Sequence, residues 1–311
     1  MESLQSTQKL LSVIIPVKNW DVGLLLDALL GEIISSKLED HVEIIIADDC
    51  SKEQYRRMNR AHVQQKDCIF YYERKQCMGR AAIRNDLLKK ASGTYILFLD
   101  ADVLPDNPDF LKTYLTCVRE NEPVVCGGVS YRNRTLLEKK YDFYLYKGKH
   151  TEWLPVEKRQ QAAWRYFFSA NVLIKRSILE RISFDERFSG YGYEDIEWGI
   201  RLDKACGIHQ IENTCSHLGL IEKQKAFSRM RSSIENFLLL QELHPNIFHQ
   251  TGVAPVAEKL KCCPSFLLRS MDALCSACFA LSPWHKISLL FFQMDKAVLL
   301  ALAGRKIREK I

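Results

Sequence analysis

The residues of this chain best suited to chemistry are carboxylates in close pairs. Asp100 and Asp102 flank a single alanine in "YILFLDADVLP", Glu194 and Asp195 are adjacent in "GYGYEDIEWGIRL", and Asp48 and Asp49 are adjacent in "IIIADDCS". Carboxylates this close repel, so solvent, a basic partner or a metal ion must offset them. Mg2+ and Mn2+ prefer hard oxygen ligands and commonly bridge a protein carboxylate to substrate phosphates. A D-x-D pair leaving a strand therefore suits a divalent cation that carries a diphosphate. The plainer reading is a solvated loop and helix cap, because "DNPDF" follows. Glu194-Asp195 also reads in two compatible ways. Acids are favoured where a helix starts, and the same field keeps a general base ionised.

The elements that must position these acids alternate. The apolar runs over 12–17, 42–47, 68–73 and 94–99 read as buried strands. The spacing over 22–35, 52–65 and 79–91 reads as helices between them. Such alternation implies right-handed crossovers and a mostly parallel sheet. Ligands of such sheets collect beyond the carboxyl ends of the strands, where Asp48-Asp49 and Asp100-x-Asp102 both fall. Further along, 109–120 reads as a helix, and "VVCGGV" and "FFSANVLI" as strands. Residues 132–165 are polar and aromatic without clear period, and Gly190 and Gly192 mark a mobile loop before Glu194. From Ala226 onward the pattern is mainly helical.

Composition narrows the class. Of 311 residues, 47% are hydrophobic and 26% charged, which fits a folded globular chain and not a disordered one. The net charge of +6 is uneven: residues 251–311 hold nine Lys and Arg against four acids. The remainder is nearly neutral, which argues against a nucleic-acid protein with a basic main face. The tail suits an anionic surface such as lipid. No uncharged apolar run there approaches the ~18 residues of a membrane span. The tail therefore reads either as amphipathic helices on a membrane surface or as helices packed on the protein, and both stay open. "LLSVIIPV" is too short for a span, and no cleavage site follows it. The eleven cysteines read as reduced, buried thiols of a cytoplasmic protein. Cys262-Cys263 and Cys275-x-x-Cys278 lie in apolar helical surroundings, so zinc is not expected there.

Taken in order, "SVIIPVKN", "IIIADDCS", "GRAAIRNDLLKKASGTYILFLDADV" and "GYGYEDIEWGIRL" resemble glycosyltransferase family 2. The second half also looks like the carboxyl-terminal region of galactosyl- and N-acetylgalactosaminyl-transferring relatives. The resemblance covers roughly residues 11–243. It implies an α/β GT-A fold: a Rossmann-like, mostly parallel central sheet with helices on both faces, here followed by the helical tail. It also implies a nucleotide-sugar-binding half over 1–105 and an acceptor-binding, catalytic half over 106–250, leaving 251–311 as a basic helical tail suited to membrane association.

Residue by residue, the resemblance places Pro16, Lys18 and Asn19 at the nucleotide pocket and Asp49 on the uracil edge. It places Arg84 and Asn85 near ribose or diphosphate. Asp100 faces ribose and metal, Asp102 is the direct metal ligand, and His217 in "CSHLGL" is a further one. Glu194 holds the acceptor sugar and Asp195 is the catalytic base. Two departures stand out: the family often has an aromatic at Lys18, and it usually has Asn and Gly where "QCMGRAAIRN" leads into the helix. Read without the resemblance, Arg84 is a surface helix charge and His217 a hydrogen-bonded histidine with no metal.

The expectation is a Mn2+- or Mg2+-dependent inverting glycosyltransferase. Its donor is a nucleotide sugar, UDP-linked in the first instance, and its acceptor a glycan or glycolipid hydroxyl. It would lie in the cytoplasm, on the inner membrane face if the tail binds lipid. Two alternatives are weighed. A sugar-phosphate nucleotidyltransferase would want a Gly- and Arg-rich loop after the first strand, and "PVKNWDVG" lacks one. A non-catalytic nucleotide-binding or scaffolding relative would have lost Asp102 or Asp195, and both are present.

Overall fold

The computed structural model describes residues 9–64, 66–133, 138–250 and 252–308. In chain order the first elements are β1 (Leu11–Val17), α1 (Gly23–Ser35), β2 (Val42–Asp48), α2 (Glu53–Val63), β3 (Ile69–Glu73), α3 (Arg80–Leu88), β4 (Tyr95–Leu99), β5 (Val103–Pro105) and α4 (Phe110–Arg119). Then come β6 (Val124–Cys126), β7 (Val129–Ser130), α5 (Asp142–Thr151), α6 (Val156–Gln160), β8 (Asn171–Lys175), α7 (Arg176–Leu179), α8 (Glu194–Cys206), β9 (His209–Gln210) and β10 (Cys215–His217). The remaining helices are α9 (Lys223–Ser232), α10 (Ile234–Leu243), α11 (Pro245–Phe248), α12 (Ala254–Leu260), α13 (Ser265–Leu281) and α14 (His285–Arg308).

The chain forms two compact units. The first comprises Met1–Leu136, Lys149–Arg187 and Glu194–Gly219. It holds a seven-stranded sheet in the order β3-β2-β1-β4-β8-β6-β9 and a three-stranded sheet in the order β5-β10-β7. β3, β2, β1 and β4 are mutually parallel, and β8 runs antiparallel to both of its neighbours. Strand order reverses between β1 and β4, which is the switch point where such sheets bind ligands.

The uninterrupted apolar runs are explained by burial on both faces. Val13, Ile15 and Val17 of β1 join one core with Leu97 and Leu99 of β4, under α1 and α4. Ile14, Ile96 and Phe98 point the other way into a second core with Ile83 and Leu87 of α3 and Trp198 and Leu202 of α8. This is the α/β sheet covered on both faces that the sequence implies.

Some expectations shift. "VVCGGV" is not one strand: it breaks at Gly127 and Gly128 into β6 and β7, which join different sheets. A Cβ at Gly127 would collide with the Tyr114 hydroxyl and the Asn213 carbonyl, so the break needs a residue without one. In "FFSANVLI" the strand starts only at Asn171. The stretch over 132–165 contains the short helices α5 and α6, whose mixed faces give no clear period. Of the cysteines, all unpaired, Cys77, Cys206 and Cys262 are exposed instead of buried.

The second unit comprises Leu137–Gly148, Phe188–Tyr193 and Leu220–Ile311. The compact units thus do not divide at 105 or at 250. β8 and β6 complete the same sheet as β1, and the segments 137–148 and 188–193 cluster with the terminal helices. α14 corrects another expectation, because His285–Gly304 is long and apolar enough, by length and composition, to cross a membrane. Asp295 at its centre is nevertheless fully buried, and Arg231 of α9 donates to it at 2.8 Å and to Asp272 of α13 at 2.7 Å. This charge cluster and the stacked rings of Phe227 and Phe279 fasten α9, α13 and α14 together within the unit.

Candidate active site

The singled-out carboxylates all lie in the first unit: Asp48 and Asp49 at the carboxyl end of β2, Asp100 and Asp102 after β4, and Glu194 and Asp195 at the start of α8. At the β1 end, Asn19 adopts a left-handed φ of 52°. Its N–H donates to Ser51 Oγ at 2.7 Å, and its side-chain oxygen accepts from the Lys52 N–H at 2.8 Å, which joins the loops after β1 and β2. Pro16 is half-buried in β1. Asp48 is fully buried and accepts from the Ser51 N–H at 2.7 Å. Asp49 turns inward. It accepts from the N–H groups of Met78 at 2.5 Å and Gly79 at 3.2 Å, with Lys18 Nζ 3.5 Å away. Asp49 therefore holds the loop before α3 in the place where it was expected to read a base.

The opening pair of acids is offset by two different partners. Asp100 accepts from Arg84 Nη2 at 2.6 Å. Arg84 is buried and lies against the Phe184 ring, so it is not the surface charge of the plainer reading. Burial works against the charged form of Asp100, but Arg84, Arg80 and His217 outweigh it and hold the carboxyl below its usual range. Asn85 does not face open space. Its Nδ2 donates to the Phe184 carbonyl at 3.0 Å and to Glu186 at 2.8 Å, and its oxygen accepts from the Phe184 N–H at 3.0 Å.

Asp102 has a different environment. Its carboxylate accepts no hydrogen bond among the described residues, and its nearest titratable neighbour is His217, whose Nε2 lies 3.7 Å from Oδ2. That is too long for a hydrogen bond and short enough for two groups facing one small ion. The pairing follows from the small sheet. Val103 of β5 stands opposite His217 of β10, and the Leu218 N–H donates to the Asp102 carbonyl at 2.7 Å. No cluster of three or more His, Cys, Asp or Glu that could hold a metal exists among the described residues. Asp102 and His217 could hold a cation only together with ligands from substrate and water. A carboxylate with an imidazole is a donor set that suits Mn2+ better than the harder Mg2+.

Glu194 and Asp195 open α8 as expected. Glu194 is buried, and its partner is Arg80 Nη1 at 3.2 Å. Asp195 is half-buried, and Ser169 Oγ donates to its Oδ1 at 2.7 Å, while no hydrogen bond to Oδ2 is made among the described residues. Burial first, then the charge of Glu194, push the Asp195 carboxyl up to about 6, against the pull of Arg84. A carboxylate so poised is ionised at neutral pH yet basic enough to accept a proton.

Several residues of the site escaped the sequence reading. Asp106 accepts from Ser130 at 2.5 Å, Thr214 at 2.6 Å and Ser216 at 2.5 Å, and so fixes the strand that carries His217. A Cβ on Gly219 would collide with the Asp102 carboxylate. Ser169 and Arg80 complete the surroundings of Asp195 and Glu194. None belongs to a local pattern; only the "LG" after His217 hinted at a close approach. The loop before Glu194 belongs to the second unit, where it is tied down: Asn236 Nδ2 donates to the carbonyls of Ser189 at 2.9 Å and Gly192 at 2.8 Å. Tyr193 in turn stacks on Phe237. The glycines there serve left-handed φ values of 76° and 89°.

Comparison with known proteins gives the chain's family and fold. The family model described as "Glycosyl transferase family 2" matches residues 12–183, which includes Asp49, Arg84, Asp100 and Asp102 and stops short of Glu194, Asp195 and His217. A chondroitin synthase of Pasteurella multocida (strain Pm70) is 26% identical over 232 residues, 65% of this chain and 24% of its own length. A validoxylamine A glucosyltransferase of Streptomyces hygroscopicus subsp. limoneus is 27% identical over 230 residues, 65% of this chain and 49% of its own. This chain therefore spans between a quarter and a half of the length of these relatives. Among solved structures, the mannosyltransferase PcManGT from Pyrobaculum calidifontis, in complex with GDP-Man and Mn2+, superposes with a TM-score of 0.57 at 18% identity. That superposition covers 97% of this chain and 88% of the mannosyltransferase, and it shows the shared GT-A fold.

Proposed function

We propose a function from one premise: the chain belongs to glycosyl transferase family 2. On that premise we read it as an inverting glycosyltransferase that moves a sugar from a nucleotide sugar to a hydroxyl of a glycan or glycolipid. The observation that carries this reading is Asp195. It stands at the start of α8 with Oδ2 making no hydrogen bond among the described residues, within electrostatic reach of Asp100 after β4 and of Arg84 on α3.

In the proposed step, Asp195 Oδ2 accepts the acceptor's hydroxyl proton as that oxygen attacks the anomeric carbon. The bond to the diphosphate oxygen breaks on the opposite side, so one displacement inverts the centre. Ser169 orients the base, and Glu194 is the acceptor-binding group, aligned by Arg80. Arg84 holds Asp100 in place for the ribose. Asp102 and His217 would hold Mn2+ or Mg2+, which when bound neutralises charge on the leaving diphosphate. UDP is the first nucleotide to test. The carboxyl-terminal resemblance makes a galactosyl or N-acetylgalactosaminyl donor the first sugar.

The test is a panel of UDP- and GDP-sugars incubated with the folded protein, with and without Mn2+, while release of nucleoside diphosphate is followed. Metal-dependent consumption of one donor, accelerated by a glycan acceptor, is expected. If no donor is consumed under any condition, the transferase reading fails.

A further inference from the structure

The two readings of the tail, packed helices and membrane helices, apply to opposite faces of the same helix. On α13, Leu268, Cys275 and Phe279 are buried, and Asp272 is tied to Arg231. Its opposite side carries Leu267, Leu274 and Leu281, seven residues apart, together with Phe266. Leu281 is 82% exposed, Phe266 73% and Leu274 60%. Trp284, in the turn before α14, is 66% exposed, and Leu290 follows on α14. Single exposed apolar residues are ordinary, but a continuous stripe ending in an exposed tryptophan is not.

The charges around the stripe are of one sign. Lys259, Arg269 and Lys286 are exposed and have no ion-pair partner among the described residues. The acids nearby in the chain face internal cations: Glu258 pairs with Lys261, and Asp272 and Asp295 share Arg231. An apolar helix face with three exposed, unpaired cations nearby in the chain complements an anionic lipid surface. The tryptophan has the amphipathic ring that settles at headgroup depth.

We propose that the outer face of α13, with Trp284 and the start of α14, lies in the plane of an anionic membrane. The Leu267–Leu274–Leu281 stripe would sit among the acyl chains, with Lys259, Arg269 and Lys286 at the headgroups. Because the Asp295 cluster fastens α14 by its buried side, the helix docks as part of a folded unit and does not cross the bilayer. This inference does not depend on the transfer reaction and can be tested without it.

The full chain is floated with vesicles rich in phosphatidylglycerol and with pure phosphatidylcholine vesicles, at low and high salt. Flotation with the anionic vesicles alone, weakened by salt, is expected. Leu274→Glu combined with Leu281→Glu should abolish it while the melting temperature holds, because both positions are exposed. Each of Lys259→Gln, Arg269→Gln and Lys286→Gln should weaken partition by about fivefold. The vesicle-induced blue shift in tryptophan fluorescence should vanish in Trp284→Phe. Failure of the intact chain to bind anionic vesicles at low salt overturns the proposal. So does unchanged binding by the double glutamate variant, or a lipid-independent dimer that this variant dissolves, which would give the stripe to a second copy of the chain.

Discussion

Trp198 stands edge-on to Phe98 with ring centroids 5.1 Å apart, and this contact sets the spacing of two carboxylates that neither ring carries. Asp195 lies three residues before Trp198, on the same side of α8. Asp100 lies two residues after Phe98, on the same side of β4's course. Phe167 and Phe184 close around Trp198, whose indole N–H donates to the Ile182 carbonyl at 2.9 Å. An aromatic core at the middle of the sheet thereby aims the base at the strand end.

Asp195→Asn should fold and retain donor affinity while transfer falls by roughly 10²–10⁴-fold, the range for loss of a general base. Glu194→Gln should chiefly raise the KM for acceptor. Steady-state kinetics together with donor titration separate the two. A near wild-type rate in Asp195→Asn would exchange their roles.

The pH dependence follows from the raised Asp195 carboxyl. Below about 6 the base is protonated, so kcat should fall on the acid side with that apparent pKa. Ser169→Ala removes a hydrogen bond to the charged form and should move this limb upward. Stability runs the other way. The folded carboxyl holds its proton above the usual unfolded value of about 3.9, so stability declines as pH rises from there to about 6. Asp195→Asn should accordingly melt higher than the parent at pH 7, by calorimetry.

Mn2+ binding can be read without turnover. Asp102→Ala should abolish it in calorimetric titration, and His217→Ala should weaken it by more than the ~10–100-fold that loss of a ligand's supporting partner costs. Gly219→Ala pushes a methyl into the Asp102 carboxylate and should raise the Mn2+ dissociation constant with little change in melting temperature. Equal Mn2+ affinity in all three variants would remove the metal from this site.

Asp100→Asn should act as a stability change as well as a functional one. It leaves Arg84, 2% exposed, beside a neutral amide. Breaking a buried pair costs ~3 kcal/mol or more, and the partial exposure of Asp100 places this case at the low end. Arg231→Met should cost less, because Asp295, fully buried and pushed up to about 7 by burial, takes up a proton when its cation is removed. Urea unfolding at pH 7 measures both.

The strands that build the site were legible because burial on both faces leaves an unbroken apolar run, as in β1, β2 and β4. The acids at their ends were legible because they interrupt those apolar runs where the strand leaves the sheet. The parts given to Asp100 and Asp102 came from the family resemblance; the contacts beside them, Arg84 reaching from α3 and His217 returning from a strand far along the chain, leave no local pattern. Ser169 was hidden inside an apparent strand, "FFSANVLI", whose first residues are in fact free to turn toward α8. The second unit was missed because it gathers residues 137–148 and 188–193 from within the first.

The cross-strand setting of Asp102 and His217 has a thermal consequence. β5 and β10 come from distant parts of the chain, so an ion gripped by both would act as a removable crosslink, closing a long loop that the unfolded chain must otherwise leave open. Loading with Mn2+ at about a hundred times its dissociation constant would then protect the folded chain by ~2.7 kcal/mol. A melting curve in the presence of chelator would report the loss of that crosslink directly, before any sugar is transferred.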